Sequence, residues 1–100
     1  MTFYESIFVV RPDLTESQVE TLAQKFSNII KEYKGDVSKT EFCGLRPLAY
    51  RMNKNRKGYY VLFNLACTHD AIVEMERQMR LSEDVMRFLT VRVDELDPEP

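Results

Sequence analysis

The chain has 100 residues, of which 44% are hydrophobic and 30% are charged, and its net charge is −2. This composition excludes a disordered chain and a coiled coil, and the length suffices for one domain with its own core. With two isolated cysteines and a single histidine, the sequence indicates neither a disulfide framework nor a zinc site.

The first two elements are predicted to be a strand and a helix. Residues 3–10 (FYESIFVV) carry apolar side chains on both faces, which indicates a central strand that ends before Pro12. Thr15 and Gln18 match a capping box at the start of a helix, and Gly35 predicts its end. The helix would face the core with Val19, Leu22, Phe26, Ile29, Ile30 and Tyr33.

Two strands, a second helix and a last strand are predicted for the rest of the chain. Residues 36–51 are typical of a long edge strand that bends near Gly44. Residues 59–67 (YYVLFNLAC) alternate strictly and are expected near the sheet centre. Thr68 can cap the second helix, and residues 85–93 form the last strand.

The order β-α-β-β-α-β predicts an α+β, ferredoxin-like fold, in which two helices cover one face of a four-stranded antiparallel sheet. Residues 1–94 would form this single domain, and residues 95–100 a short acidic tail. The other sheet face would be open and partly apolar, which is typical of a surface that binds a partner. The residues expected there are Tyr60, Leu62, Leu89 and Val91.

Positive charge is concentrated in residues 44–58 (GLRPLAYRMNKNRKG), which contain no Asp or Glu. Its basic residues are Arg46, Arg51, Lys54, Arg56 and Lys57. The remainder holds nine basic and 16 acidic residues, a net charge of −7. Such a contrast indicates a polyanionic partner, although a solvated hairpin loop would also carry these charges.

No part of the sequence indicates catalysis. His69 has no nucleophile beside it and is expected to be exposed at a helix start. The three glycines do not form a phosphate-binding loop. We therefore expect no enzyme activity, no cofactor, no metal and no small-molecule substrate. The first residues lack a basic leader and a long apolar run, which predicts a cytoplasmic protein without a membrane segment.

Two other functions fit this topology. Residues 56–63 (RKGYYVLF) nearly match the RNP1 pattern of an RNA recognition motif, in which Tyr59, Phe63 and Phe8 would stack on single-stranded RNA. The alternation of the strand instead predicts Tyr59 and Phe63 to be core residues. A metabolite-binding domain is the third possibility, and it would need a concave pocket with convergent polar groups.

Five motifs follow one another along nearly the whole chain. They are Tyr4-Glu5, residues 44–50 (GLRPLAY), Lys54, Gly58-Tyr59-Tyr60 and residues 79–87 (MRLSEDVMR). Together they resemble the bacterial small-subunit ribosomal protein six family. The resemblance implies a ferredoxin-like protein of the small-subunit platform, which binds small-subunit ribosomal RNA cooperatively with ribosomal protein eighteen.

The resemblance also implies which residues contact RNA or the protein partner. The motif positions are Arg46, Tyr50, Lys54 and Arg80. Arg56, Lys57 and Arg87 are added because of their charge and neighbourhood, as is Arg51, which stands where many family members have proline. Pro47 stands where the family commonly has a second basic residue.

Overall fold

The computed structural model describes residues 2–52 and 55–95, with the backbone alone for residues 49–52 and 55. Its elements are β1 (Thr2–Val10), α1 (Glu16–Glu32), β2 (Asp36–Met52), β3 (Asn55–Cys67), α2 (His69–Leu81) and β4 (Val85–Val93). The predicted β-α-β-β-α-β order is therefore confirmed. The predicted acidic tail lies outside the described residues from residue 96 onwards.

The four strands form one antiparallel sheet in the order β2-β3-β1-β4. The predictions that β1 and β3 are central and that β2 is an edge strand are confirmed. β1 pairs with β3 from Thr2 to Val10 and with β4 from Phe3 to Val10, so that Val9 lies between Tyr60 of β3 and Arg87 of β4. Both helices pack on the same sheet face, because Phe26 of α1 and Met75 of α2 belong to one buried cluster.

Aromatic packing anchors α1 to the middle of the sheet. The ring of Phe8 lies 5.3 Å from that of Phe26 at an interplanar angle of 85°, and 5.3 Å from that of Phe63. Edge-to-face geometry of this kind stabilises aromatic pairs beyond the area they bury. Met75 and Met79 of α2 are also buried, as their helical spacing predicts.

α1 begins and ends at local motifs. The predicted capping box is present: the Gln18 N–H donates to Thr15 Oγ1 at 3.2 Å, and the Thr15 N–H donates to Gln18 Oε1 at 2.8 Å. At the other end, Lys34 and not Gly35 adopts the left-handed conformation, with φ of 65°. The Gly35 N–H then donates to the carbonyl of Ile30 at 2.9 Å, which completes a Schellman motif.

Gly35 is required for space and not for its φ angle. A Cβ atom at Gly35 would lie 2.6 Å from Cys67 Cβ and 2.9 Å from Ile30 Cγ2. The end of α1 therefore packs directly on the end of β3. The prediction that Gly35 marks the end of the helix is confirmed, and the left-handed residue of the motif is Lys34.

Candidate nucleic-acid interface

A bend in the edge strand β2 positions the first arginine of the basic stretch. Gly44 has φ of +83°, a conformation that L side chains rarely adopt, and the β2–β3 register shifts between Phe42 and Gly44. Just beyond the bend, Arg46 Nε donates to the carbonyl of Cys43 at 2.9 Å. The exposed guanidinium of Arg46 is therefore held at the bend, which confirms the predicted distortion of this strand.

Arg46 shares one end of the sheet with the basic residues that open β3. It lies opposite Gly58, and Pro47 lies opposite Lys57 in the β2–β3 register. Arg56 and Lys57 are exposed. Since side chains alternate along a strand, Arg46 and Arg56 lie on the face opposite the helices and Lys57 on the helix side.

Three other predicted site residues lie partly or wholly outside the described residues. The backbones of Tyr50 and Arg51 belong to β2, but their side chains lie outside the described residues. Lys54 lies entirely outside the described residues. The described part of the basic surface therefore consists of Arg46, Arg56 and Lys57.

The two arginines predicted near β4 lie on different sides of the sheet. Arg87 is exposed, and it shares a cross-strand row with Val9 and Tyr60 on the open face. Arg80 lies in the last turn of α2, with its guanidinium carbon 5.7 Å from the centroid of the Phe88 ring. The fold thus brings Arg87 to the same face as Arg46 and Arg56, but places Arg80 on the helix side.

Glu41 borders the basic surface, but its negative charge is paired with the positive charge of Lys39. Lys39 Nζ lies 3.3 Å from Glu41 Oε1, and Cys43 Sγ donates to Glu41 Oε2 at 3.5 Å. The hydrogen bond from Lys39, followed by that from Cys43, lowers the pKa of Glu41. Burial, followed by the hydrogen bond to Glu41, raises the pKa of Cys43. At neutral pH the carboxylate is therefore paired and the thiol is uncharged.

The open face of the sheet is apolar in its centre. Ile7, Leu89 and Val91 are 42%, 58% and 43% exposed. A shallow depression of about 460 Å³ lies beside Ile7 and is also lined by Arg46, Tyr60 and Leu62 among others. A smaller one of about 140 Å³ lies between Tyr60, Arg87 and Leu89. The predicted open face is confirmed, and arginines border its apolar centre on both sides.

The RNA recognition motif alternative is wrong for this chain. Phe8 and Phe63 are 0% exposed and pack beneath α1, where RNA bases cannot reach them. Tyr59 is partly buried and packs against the same core. The alternation of side chains in this strand had predicted Tyr59 and Phe63 to be core residues. Residues on the core face of the sheet cannot also stack on bases at its open face.

The helix layer carries an open groove of about 690 Å³ between α1 and α2. Its polar side chains bind one another: Gln24 Nε2 donates to Asn28 Oδ1 at 2.9 Å, and Gln78 Nε2 donates to Glu74 Oε2 at 3.0 Å. Each of these hydrogen bonds joins two residues four positions apart within one helix, so these polar groups are paired with each other and do not converge on the groove. The groove therefore does not favour the metabolite-binding alternative.

His69 is exposed at the start of α2. The residues that the structure describes contain no group of three or more His, Cys, Asp or Glu side chains able to hold a metal ion. Within the same residues, no helix is long and apolar enough to cross a bilayer.

Comparison with known proteins identifies the family. The family model of ribosomal protein S6 matches residues 3–92. The chain belongs to the ribosomal protein S6 family. The predicted resemblance is thereby confirmed, and this family is a class of ribosomal proteins and not of enzymes.

Relatives in this S6 family match the chain over its full length. It is 57% identical over 100 residues to small ribosomal subunit protein bS6 of Parvibaculum lavamentivorans, covering 100% of this chain and 64% of the relative. It is 53% identical to the bS6 protein of Paramagnetospirillum magneticum, covering 100% of this chain and 69% of that one. The chain thus spans about two thirds of the length of these relatives.

A solved S6 structure has the same fold. The crystal structure of 30S ribosomal protein S6 from Thermotoga maritima superposes with a TM-score of 0.86 at 31% identity, covering 92% of this chain and 87% of that chain. The ferredoxin-like fold predicted from the element order is therefore confirmed for this S6-family chain.

In this S6-family chain, Ile7 is the open-face residue that the sequence analysis missed. It lies opposite Leu62 in β3 and Leu89 in β4, at the centre of the apolar surface. The signal was present in the sequence, because Glu5 stands two residues earlier on the same strand face. A charged residue at that spacing indicates the solvent side of a strand.

Proposed function

We propose that this chain is a structural component of the small ribosomal subunit that binds small-subunit ribosomal RNA together with ribosomal protein eighteen. Membership of the ribosomal protein S6 family supports the ribosomal part of the proposal. The observation that supports the RNA part is the basic β2–β3 ribbon, residues 44–58 of the two paired strands, in an otherwise acidic chain. The proposed contact residues are Arg46, Tyr50, Arg51, Lys54, Arg56, Lys57, Arg80 and Arg87.

The geometry of the basic residues suits phosphate contacts. Arg46 lies on one edge strand and Arg87 on the other, with their side chains on the same face. Three strand spacings separate these edges, about 14 Å. Two arginines held on opposite edges of one sheet would recognise the arrangement of phosphates, and hence the shape of the RNA, ahead of its sequence.

The apolar open face suits a protein partner. Ile7, Leu89 and Val91 together offer a hydrophobic surface in its centre. One end of this surface also offers a carboxylate. Glu5, which is partly buried, lies between Val91 and Asn64. A partner that presents apolar side chains and a basic group would satisfy this surface.

Charge explains why the two partners would act together. Outside residues 44–58 the chain has a net charge of −7, which repels phosphates. A basic protein on the open face would neutralise part of this charge while adding cations of its own. The free chain is therefore expected to bind RNA weakly, and the heterodimer more tightly.

The decisive experiment measures the affinity for small-subunit ribosomal RNA with and without ribosomal protein eighteen. We expect tighter binding of the pair than of either protein alone, whereas equal affinity overturns the cooperative part of the proposal. In cell extracts we expect the protein in the cytoplasm, sedimenting with small ribosomal subunits. Failure to sediment with them overturns the ribosomal part.

A matched pair of variants tests the proposed docking surface. Ile7→Lys introduces a charge at the centre of the open face, where Ile7 is 42% exposed. Val73→Lys makes the same change on α2, where Val73 is 49% exposed. We expect the first variant to lose the protein partner and the second to retain it. Equal retention by both variants excludes the open face as the docking site.

A further inference from the structure

The second edge of the sheet, β4, is unusually regular. In the part of the chain that the structure describes, β4 pairs with β1 alone, so its outer backbone groups face solvent. Natural edge strands are normally protected by bulges, prolines or charges. β2 has three register shifts and Pro47. β4 (VMRFLTVRV) lacks Pro and Gly, and its single register shift lies opposite Val9 and Val10, at its start.

The exposed apolar side chains of β4 favour the binding of a further strand at this edge. Leu89 and Val91 are 58% and 43% exposed, and both lie on the open face. Arg87 and Arg92 are the charged residues of the strand. A regular edge with exposed apolar side chains accepts a further strand through main-chain hydrogen bonds and side-chain contacts.

One strand that fits this edge is β4 of a second copy. In antiparallel pairing centred on Leu89, the two Leu89 side chains face each other. Arg87 then faces Val91 of the second copy, and Phe88 faces its Thr90. No arginine faces an arginine, so the like-charge repulsion that usually opposes self-pairing is absent from the directly opposed positions.

Charge supports the same register. Glu5 of β1 lies beside Val91 on the open face. The self-paired register therefore places Arg87 of one copy in the same cross-strand row as Glu5 of the other, two strands away. The long arginine side chain extends over the intervening Val91 toward that carboxylate.

We propose that the free chain forms a two-fold symmetric dimer through β4–β4 pairing, which creates one continuous eight-stranded sheet. This inference rests on the edge and sequence of β4, independently of the proposed RNA and protein partners. The pairing uses Leu89 and Val91, which also belong to the open face.

Cysteine cross-linking tests both the dimer and its register. The background is Cys43→Ser, which leaves only the fully buried Cys67. Under oxidising conditions we expect Leu89→Cys to form a disulfide-linked dimer by itself. Arg87→Cys and Val91→Cys are expected to link only when the two variants are mixed, because each lies about 14 Å from its own equivalent. A Val73→Cys variant on α2 serves as the unlinked control.

Sedimentation equilibrium over a concentration series supplies the second test. We expect the wild-type chain to dimerise and Leu89→Lys to raise the dimer dissociation constant about tenfold or more, since it sets two like charges opposite each other. Leu81→Lys, at a residue 66% exposed on α2, is expected to leave dimerisation unchanged. Circular dichroism checks that each variant is folded.

Three results would overturn the inference. The first is a wild-type chain that stays monomeric throughout the series. The second is a Leu89→Cys variant that does not cross-link. The third is an Arg87→Cys variant that links as readily alone as in the mixture, which would show that the copies meet in another register.

Discussion

Gly58 of β3 packs directly against Val9 of β1, with no room for a side chain between them. Gly58 is buried, and a Cβ atom built on it would clash with Val9 Cγ1 and lie 3.1 Å from the carbonyl oxygen of Val10. Leu48 of β2 closes the site from the other side, 3.6 Å from the same point. This contact fixes the base of the basic β2–β3 ribbon to the centre of the sheet, opposite Arg46.

We therefore expect Gly58→Ala to lower the free energy of unfolding by about 1–3 kcal/mol, the usual cost of overpacking. Urea denaturation measures the change. A double-mutant cycle with Val9→Ala identifies the cause, because truncating Val9 makes room for the new methyl group. The two changes are expected to be less destabilising together than their sum. Strict additivity would show that the clash with Val9 is not responsible.

The capping box at the start of α1 gives a second prediction for stability. Thr15→Ala removes the acceptor of the Gln18 N–H and is expected to cost about 1 kcal/mol in the free energy of unfolding. Thr21→Ala is the matched control within the same helix. The Thr21 hydroxyl only donates to the carbonyl of Ser17 at 3.0 Å, and alanine favours a helix interior. Equal losses in both variants would contradict a specific role for the cap.

Much of the fold could be predicted because its signals are local. The Thr15 cap depends on a residue only three positions away, and the alternation in residues 59–67 separates the buried Phe63 from the open-face Leu62 without any knowledge of the partner strands. The last strand was predicted at residues 85–93, the bounds it has in the structure. Local hydrogen bonds and strand periodicity suffice for such elements.

The arrangement of the candidate site depended on tertiary contacts instead. Arg80 and Arg87 are seven positions apart and are the same residue type, yet the turn between α2 and β4 places them on opposite sides of the sheet. The left-handed residue after α1 is Lys34, and Gly35 is needed for space where α1 meets Cys67. The periodicity of side chains within one helix or strand does not predict which distant residue will pack against that helix or strand.

The pH dependence of stability provides a third prediction. Arg77 Nε and Nη2 donate to the two oxygens of Glu74, both at 2.8 Å. These hydrogen bonds, followed by one from Gln78, lower the pKa of Glu74 from its ordinary value of 4.5 to about 2. Because the folded pKa is depressed, the stabilisation is fully present above pH 4.5 and is lost as the pH falls through about 2.

Glu74→Gln should therefore be less stable than the wild type at neutral pH, and the difference should shrink toward pH 2. Urea denaturation over this pH range measures it, with Glu76→Gln on the same helix as the control. Added salt should reduce the neutral-pH difference, because the pair is accessible to counterions. A difference that does not change with pH would show that Glu74 acts through packing alone.

The thiol beside the basic surface gives a fourth prediction. Burial and the carboxylate of Glu41 raise the pKa of Cys43, whereas burial raises the pKa of Cys67 to about 11. We expect Glu41→Gln to lower the pH midpoint of Cys43 alkylation, because the variant removes a negative charge and frees Lys39 to stabilise the thiolate. Mass spectrometry distinguishes the two cysteines, so Cys67 serves as the internal reference. An unchanged midpoint would assign the shift to burial alone.

The last prediction tests the basic ribbon as an RNA-binding surface. Arg56→Glu combined with Lys57→Glu removes two exposed cations at the start of β3, and should weaken binding to small-subunit ribosomal RNA most strongly at low salt. Two lost phosphate contacts should flatten the slope of log K against log salt by about 1.4–1.8. Lys25→Glu with Lys31→Glu, at two exposed positions on α1, changes the net charge by the same amount and is expected to leave the slope unchanged. If both double variants flatten the slope equally, the overall charge of the molecule controls binding, and the ribbon is a solvated hairpin.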